Sequence, residues 1–233
     1  GFCHVSRKIT NAGKSVSMRT SQLIQTLFLL SIAAFTLLML TKVIPYLSFE
    51  PEIDFLTTKT DRVLTRNDFQ AAFYVHIVSS WWVMGIGIFQ FVPAVLKKYP
   101  KLHQTLGKVY VFSILVLAAP SGLVLAWYAN GGLPAKVGFS LQCVVWWLCT
   151  WVAWREITRQ QWQKHVEWMM RSYGVTLAAL SLRVGSYGMV YLFHTKPIET
   201  YLTVTWLSWV GNLLIVEILI YNNLAKNLLK YIR

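Results

Sequence analysis

The sequence predicts an all-α, polytopic integral membrane bundle of six transmembrane helices with both termini cytoplasmic. Three observations predict it. Hydrophobic residues make up 55% of the 233 and charged residues only 13%, for a mean hydropathy of +0.47, more apolar surface than a soluble domain of this size can bury. Several apolar runs exceed the roughly 20 residues that carry a helix across a bilayer. The basic residues gather on alternate loops, as the positive-inside rule requires.

The spans are read as Leu23–Leu47, Phe69–Leu96, Leu102–Ala129, Val137–Trp154, Trp168–Phe193 and Tyr201–Asn222. They must be helical, because a backbone in lipid has to satisfy its polar groups within its own segment. Residues 1–20 form a cytoplasmic tail, 21–222 the transmembrane domain and 223–233 a basic cytoplasmic tail. Residues 1–17 have no apolar periodicity, and Met18-Arg19-Thr20 resembles a natural start, so the upstream stretch is set aside as non-native or disordered. The first span reads as an uncleaved anchor: it is too long for a signal peptide, and Thr41-Lys42-Val43-Ile44-Pro45 offers no small-residue cleavage site.

Between the first two spans, Ser48–Asp68 mixes acidic with apolar residues and reads equally as an ordered cap on the membrane or a solvated loop. Asn130-Gly131-Gly132-Leu133-Pro134 is a turn, and Gly85-Ile86-Gly87 inside a span indicates close helix packing.

A net charge of +13 raises the question of nucleic acid. Its distribution answers it. With the N-terminus inside, fifteen of the 22 basic residues fall on cytoplasmic segments, among them Lys97, Lys98, Lys101, Arg155, Arg159 and Lys164. The outer segments balance Lys59, Arg62 and Arg66 with Glu50, Glu52, Asp54, Asp61 and Asp68. The charge is a topology signal with a weak attraction to anionic lipid, and the expected partner is the bilayer. Three cysteines without a CxxC give no disulfide or metal framework; Cys143 and Cys149 are expected to pack inside.

Chemistry-bearing residues concentrate on three helical faces. On the fifth span, His165, Ser172, Thr176, Ala179, Arg183 and Tyr187 align within a narrow arc, with His194 about 20° off. This polar stripe should face the bundle interior, and an arginine deep in a span marks a functional position by default. On the third span, His103, Gly107, Tyr110, Ser121 and Tyr128 share a face. His103 and His165 enter from the same side, so they share a depth at which they would ligate haem b axially or hold a divalent metal; the competing reading is two mouth histidines bonded to headgroups or loop carbonyls. On the second span, His76 aligns with Ala72, Ser80, Val83, Gly87, Gln90 and Ala94, near the depth of Arg183. A His76–Arg183 pair would hold an anionic group or a haem propionate; a helical histidine alone more often makes an interhelical hydrogen bond. Glu217 on the sixth span needs a partner, with Arg171 or His165 at a compatible depth, and Asn212 reads as interhelical glue.

One family shows these features in the same order. His76 is followed by Leu102-His103-x-x-Leu106-Gly107-Lys108-Val109-Tyr110, then Gly138-Phe139, then His165-x-x-Trp168-Met169-x-Arg171-Ser172-Tyr173, Leu182-Arg183 and Trp206-Leu207-Ser208-Trp209-x-x-Asn212. Over about Phe69–Tyr221 the chain resembles a family of predicted bacterial multi-pass membrane proteins known only as a domain of unknown function. Gln104, where the pattern expects arginine, and Glu167 both depart from it and weaken the case for a phosphate-like ligand at that mouth. The resemblance implies a multi-pass topology in a bacterial inner membrane and no established activity.

Three functions fit these residues. One is a redox or haem-type membrane protein with an electron-transfer partner or a homo-oligomeric state. Another is a small-molecule or proton carrier or enzyme working along the polar face of the fifth span. The third is a non-catalytic assembly protein whose polar residues hold helices together.

Overall fold

In the computed structural model, which describes residues 23, 26–50 and 52–229, the chain is an all-helical bundle. Among the described residues five helices are long and apolar enough to cross a membrane, and a bent pair adds a sixth if its two halves form one span. We number the long helices α1 (Thr26–Ser48), α2 (Asn67–Phe89), α3 (Pro100–Trp127), α4 (Gly132–Thr158), α5 (Trp162–Thr176), α6 (Ala178–Phe193) and α7 (Pro197–Tyr221). The expectations for residues 1–22 and for the last four residues lie outside the described residues.

Two spans depart most from their expected bounds. The second ends at Phe89, not Leu96, and Pro93–Lys98 forms a separate short helix, because Pro93 cannot donate the backbone hydrogen bond that would continue α2. The fifth begins at Trp162, which places His165 inside the first turn of α5, and it bends by 45° at Leu177. No proline causes that bend. Asn212 of α7 donates from Nδ2 to the Gly174 carbonyl at 2.9 Å, and Ser181 donates to Asn212 Oδ1 at 2.7 Å. A side chain from α7 thus holds a carbonyl beside the break and the first turn of α6, the kind of insertion that kinks a helix.

The third span carries a second irregularity. Pro120 has no N–H to give and crowds the preceding turn, and Ser113–Ala118 widens into π-helix. Side chains of the neighbouring helices engage the widened turn, the remedy a membrane helix requires. Trp147 donates to the Leu115 carbonyl at 3.1 Å, Trp82 donates to Ser113 Oγ at 3.0 Å, and His76 Nδ1 donates to the Ala118 carbonyl at 2.9 Å.

The main core gathers Ile32, Val83, Tyr110, Ile114, Trp146, Met169 and Tyr173 from α1 to α5. Gly87 lets α2 approach closely: a Cβ there would lie 2.2 Å from the Tyr173 ring. That ring is itself held, its hydroxyl donating to the Met84 carbonyl at 3.1 Å.

Between α1 and α2 the loop is an ordered cap. Tyr46, Leu56, Phe69 and Phe73 form a buried cluster beneath two short helical turns, Asp54–Thr58 and Asp61–Leu64. Lys59 reaches from it to the α3–α4 turn, donating to the Tyr128 carbonyl at 2.7 Å and to Asn130 Oδ1 at 3.0 Å. Burial pushes the Lys59 ammonium down to about 8, and the two oxygens it reaches work against that shift. We call this the cap end and the opposite end, with Lys97, Lys98, Lys101, Arg155, Arg159 and Lys164, the basic end.

Gly87→Ala should lower the unfolding midpoint in detergent by the equivalent of about 1–3 kcal/mol through overpacking. Gly188→Ala, where an added Cβ meets nothing within 4 Å, should be neutral or slightly stabilising. The folded Lys59 value lies below that of the unfolded chain, so the unfolded state binds more protons between pH 8 and about 10.5. Stability should therefore rise with pH across that window, and Lys59→Met should flatten the rise in a pH series of unfolding curves.

Candidate functional site

Five buried side chains join α3, α4 and α5 through hydrogen bonds deep in the bundle. Tyr110 OH lies 3.0 Å from Ser172 Oγ and 2.9 Å from Thr176 Oγ1. Thr150 Oγ1 lies 2.8 Å from Ser172 Oγ, Trp146 Nε1 donates to Thr176 Oγ1 at 3.0 Å, and Thr150 donates to the Trp146 carbonyl at 2.8 Å. One assignment uses every hydrogen once: Trp146 N–H to Thr176, Thr176 to the Ser172 carbonyl at 3.0 Å, Tyr110 to Ser172 Oγ, Ser172 to Thr150, and Thr150 to the Trp146 carbonyl. The circuit closes on the residue where it starts. It carries no charge and leaves no donor spare, so it orders the helices and offers a ligand nothing. Tyr110 and Ser172 were singled out from sequence; Trp146 and Thr150 were not, because a tryptophan and a threonine in an apolar run carry no signal of their own.

This circuit sets the register of the site. Helices α3 and α5 both run from the basic end toward the cap end. His103 stands seven residues before Tyr110, and His165 seven before Ser172. Seven residues are two turns with only about 20° of drift, so the Tyr110–Ser172 bond sets His103 and His165 at about the same depth. The two imidazoles are close enough for their charges to interact. His165 donates from Nδ1 to the Ala153 carbonyl of α4 at 2.8 Å, which leaves its Nε2 with a free lone pair when the ring is neutral. His103 Nδ1 is buried with no partner.

Gln90, just beyond the last turn of α2, completes the group. Its Oε1 lies 3.2 Å from where a Cβ on Gly107 would stand, one turn along α3 from His103. The residue is 6% exposed, and Nε2 is buried without a partner. Among the described residues, no group of three or more His, Cys, Asp and Glu side chains stands together as a metal set. A cleft of about 650 Å³ at the basic end is lined by Gln160, Trp162, Lys164, Glu167 and Lys226, and no histidine lines it.

The other sequence candidates separate from this pair. His76 is committed to the Ala118 carbonyl and lies 3.4 Å from Ser80 Oγ, which makes it the interhelical hydrogen bond of the plainer reading. The expected His76–Arg183 pair does not form: Arg183 is exposed and donates from Nη1 to its own-helix Ala179 carbonyl at 3.1 Å. The inward stripe on the fifth span likewise holds only for its first half. Ser172 and Thr176 are buried, whereas Arg183 and His194 are exposed and Tyr187 is 78% exposed. The 45° bend at Leu177 breaks the straight-helix phase on which the alignment rested.

Glu217 is gripped by Arg171 through two bonds of 2.6 and 2.9 Å, and the guanidinium lies 4.6 Å over the Trp168 ring. The bidentate pair fastens α7 to α5. Asn212 fastens α7 to both halves of the bent span. Neither faces the histidines by any contact described.

The family described as "Predicted membrane protein (DUF2306)" matches residues 73–220, and the chain belongs to that family. No curated protein matches the chain, and no solved structure matches it. The match begins in α2 and ends in α7, so it takes in His76, both members of the histidine pair and the hydroxyl circuit.

Tyr110→Phe removes the oxygen that both Ser172 and Thr176 contact. It should cost about 1–3 kcal/mol in a detergent unfolding assay. Combined with Ser172→Ala it should cost clearly less than the sum of the two single losses, since both belong to one circuit.

Proposed function

We propose that this membrane protein binds a redox-active ligand at the His103–His165 pair. The observation that carries the reading is a pair of polar atoms left without partners at this depth: His103 Nδ1 and Gln90 Nε2 are both buried and unpaired. A buried polar atom without a partner is costly, and its usual explanation is a missing water, ion or ligand. His165 adds the outer-shell arrangement of ligating histidines, one ring nitrogen fixed on a backbone carbonyl and the other free to bind. His103 and His165 would supply imidazole ligands to a haem iron, whose macrocycle would supply the remaining donors, and they fall short of the four ligands a structural divalent ion takes. Haem b is therefore the ligand we favour, with a divalent metal completed by water as the alternative.

On this reading the basic end faces the cytoplasm of a bacterial cell and the cap faces outward, the orientation the loop charges favour. Electrons would pass to a partner docking at the basic end or to a second copy. A scaffold function is the other reading with specific support, because His76, the hydroxyl circuit, Asn212 and the Arg171–Glu217 pair all act between helices. A carrier function along the fifth span loses its main support with the outward turn of Arg183.

Absorption spectra of the detergent-purified protein, oxidised and dithionite-reduced, with metal analysis of the same sample, test the proposal. A Soret band with a sharp reduced α-band is expected, lost in His103→Ala and His165→Ala and kept in His76→Ala. A colourless protein with one equivalent of metal would move the pair to a metal site. A folded preparation with neither would leave the scaffold reading standing.

A further inference from the structure

The bend at Leu177 leaves an arginine on the outside of a span with nothing in this chain to neutralise it. Arg183 stands about 15 Å of helix before Phe193, the cap end of α6. That sets it well inside a hydrocarbon layer about 30 Å thick, where a charge is costly and calls for a partner. Its guanidinium donates to the Ala179 carbonyl of its own helix, and none of the ion pairs among the described residues includes it. The nine acidic residues of the sequence stand elsewhere. Five fall between Glu50 and Asp68, in the cap and the first turn of α2, and Glu199 caps the start of α7. Glu156, Glu167 and Glu217 belong to the basic half, where Arg155, Gln163 and Arg171 in turn hold them.

A polar stripe runs from the cap-end surface in to this arginine. Tyr187 and Tyr191 follow Arg183 at intervals of four, within about 80° of arc, and they are 78% and 81% exposed. Around them the face is apolar, with Val184, Val190, Leu192 and Phe193 exposed as well. Tyr187 and the Tyr46 phenol of the cap both stand near enough to the guanidinium to interact with its charge. The Tyr46 oxygen accepts from the Phe55 N–H at 3.1 Å, which leaves its hydrogen to give.

This chemistry selects the occupant. A guanidinium only donates, and a phenol can donate, so the fitting group is an anion with several acceptor oxygens. Phosphate matches a guanidinium two bonds at a time. A second copy of the chain brings no such group, because α6 carries no carboxylate and a symmetric contact on this face sets arginine against arginine. A free phosphate ion has to leave water for hydrocarbon to reach the site, at a large desolvation cost. A phospholipid carries its phosphate on acyl chains that already lie against the apolar part of this face. We propose that the outward face of α6 is a phospholipid site, in which Arg183 takes the headgroup phosphate of a cap-end-leaflet lipid drawn inward along Tyr191 and Tyr187. The bilayer is thinned locally at this face, and the site is independent of any ligand on the histidines.

The full chain in dodecyl maltoside, titrated with dioctanoyl phosphatidylglycerol and read by native mass spectrometry, tests the site. One lipid is expected to bind first, with affinity lowered at least about tenfold in Arg183→Gln. The loss should be smaller in Arg183→Lys and absent in Arg62→Gln, which changes an exposed arginine of the cap. Dioctanoylglycerol, with the tails and no phosphate, should bind weakly throughout. Equal affinity in the natural and Arg183→Gln proteins, or equal binding of dioctanoylglycerol, would overturn the proposal. Inorganic phosphate binding as tightly as the lipid would also overturn it, by assigning the site to a free anion. A structure of the natural chain in phosphatidylglycerol nanodiscs needs no variant. Headgroup density within about 3.2 Å of the Arg183 guanidinium is expected; acyl chains alone along α6, or a second copy of the chain, would sink the idea.

Discussion

The hydrogen bond between Tyr110 and Ser172 is the contact on which the arrangement of this bundle most depends. It locks α3 against α5 in a register of 62 residues, and that register carries two turns down both helices to the histidines. A one-residue slip would rotate each facing side chain by about 100° and separate His103 from His165. Lipid tails are as apolar as the helices they surround, so hydrophobic burial gives little preference among registers in a membrane. Hydrogen bonds that would otherwise be left unmade in a medium without water do discriminate. The closed circuit through Trp146, Thr176, Tyr110, Ser172 and Thr150 is that kind of constraint.

The same demand accounts for the two irregular spans. Pro120 and the π-helical turn before it disturb one helix, and His76, Trp82 and Trp147 come from its neighbours to engage the widened segment. The bend at Leu177 disturbs another, and Asn212 reaches across from α7 to hold both sides of it. Each departure from straight α-helix has a polar side chain from an adjacent helix assigned to it. This is why several residues that look functional in isolation serve to hold helices. Against that background Gln90 Nε2 and His103 Nδ1, buried without partners, are the atoms on which the proposed ligand site rests.

Much of the site was legible in one dimension. The heptad spacing of His103 with Tyr110 and of His165 with Ser172 is visible in the sequence, and both histidines begin spans from the same side. Gln90 falls on the small and polar face of α2 that also carries His76 and Gly87. What could not be read was which of these faces meet. Arg183 aligns with Ser172 on a straight helical wheel and turns outward only because the span bends between them. Trp146 and Thr150 join the circuit through contacts with no sequence pattern, and His76 is assigned by a carbonyl displaced forty-two residues away.

The sequence by itself determined that the chain is helical, that it crosses a membrane several times and which loops share a side. Those properties follow from composition and from the local rule that a backbone in lipid must bond to itself. Only the tertiary structure decided which histidines stand together, which polar residues are consumed in holding helices and which are left over. Those outcomes depend on helix register and on the bends at Pro120 and Leu177, and both arise from contacts between residues distant in the chain.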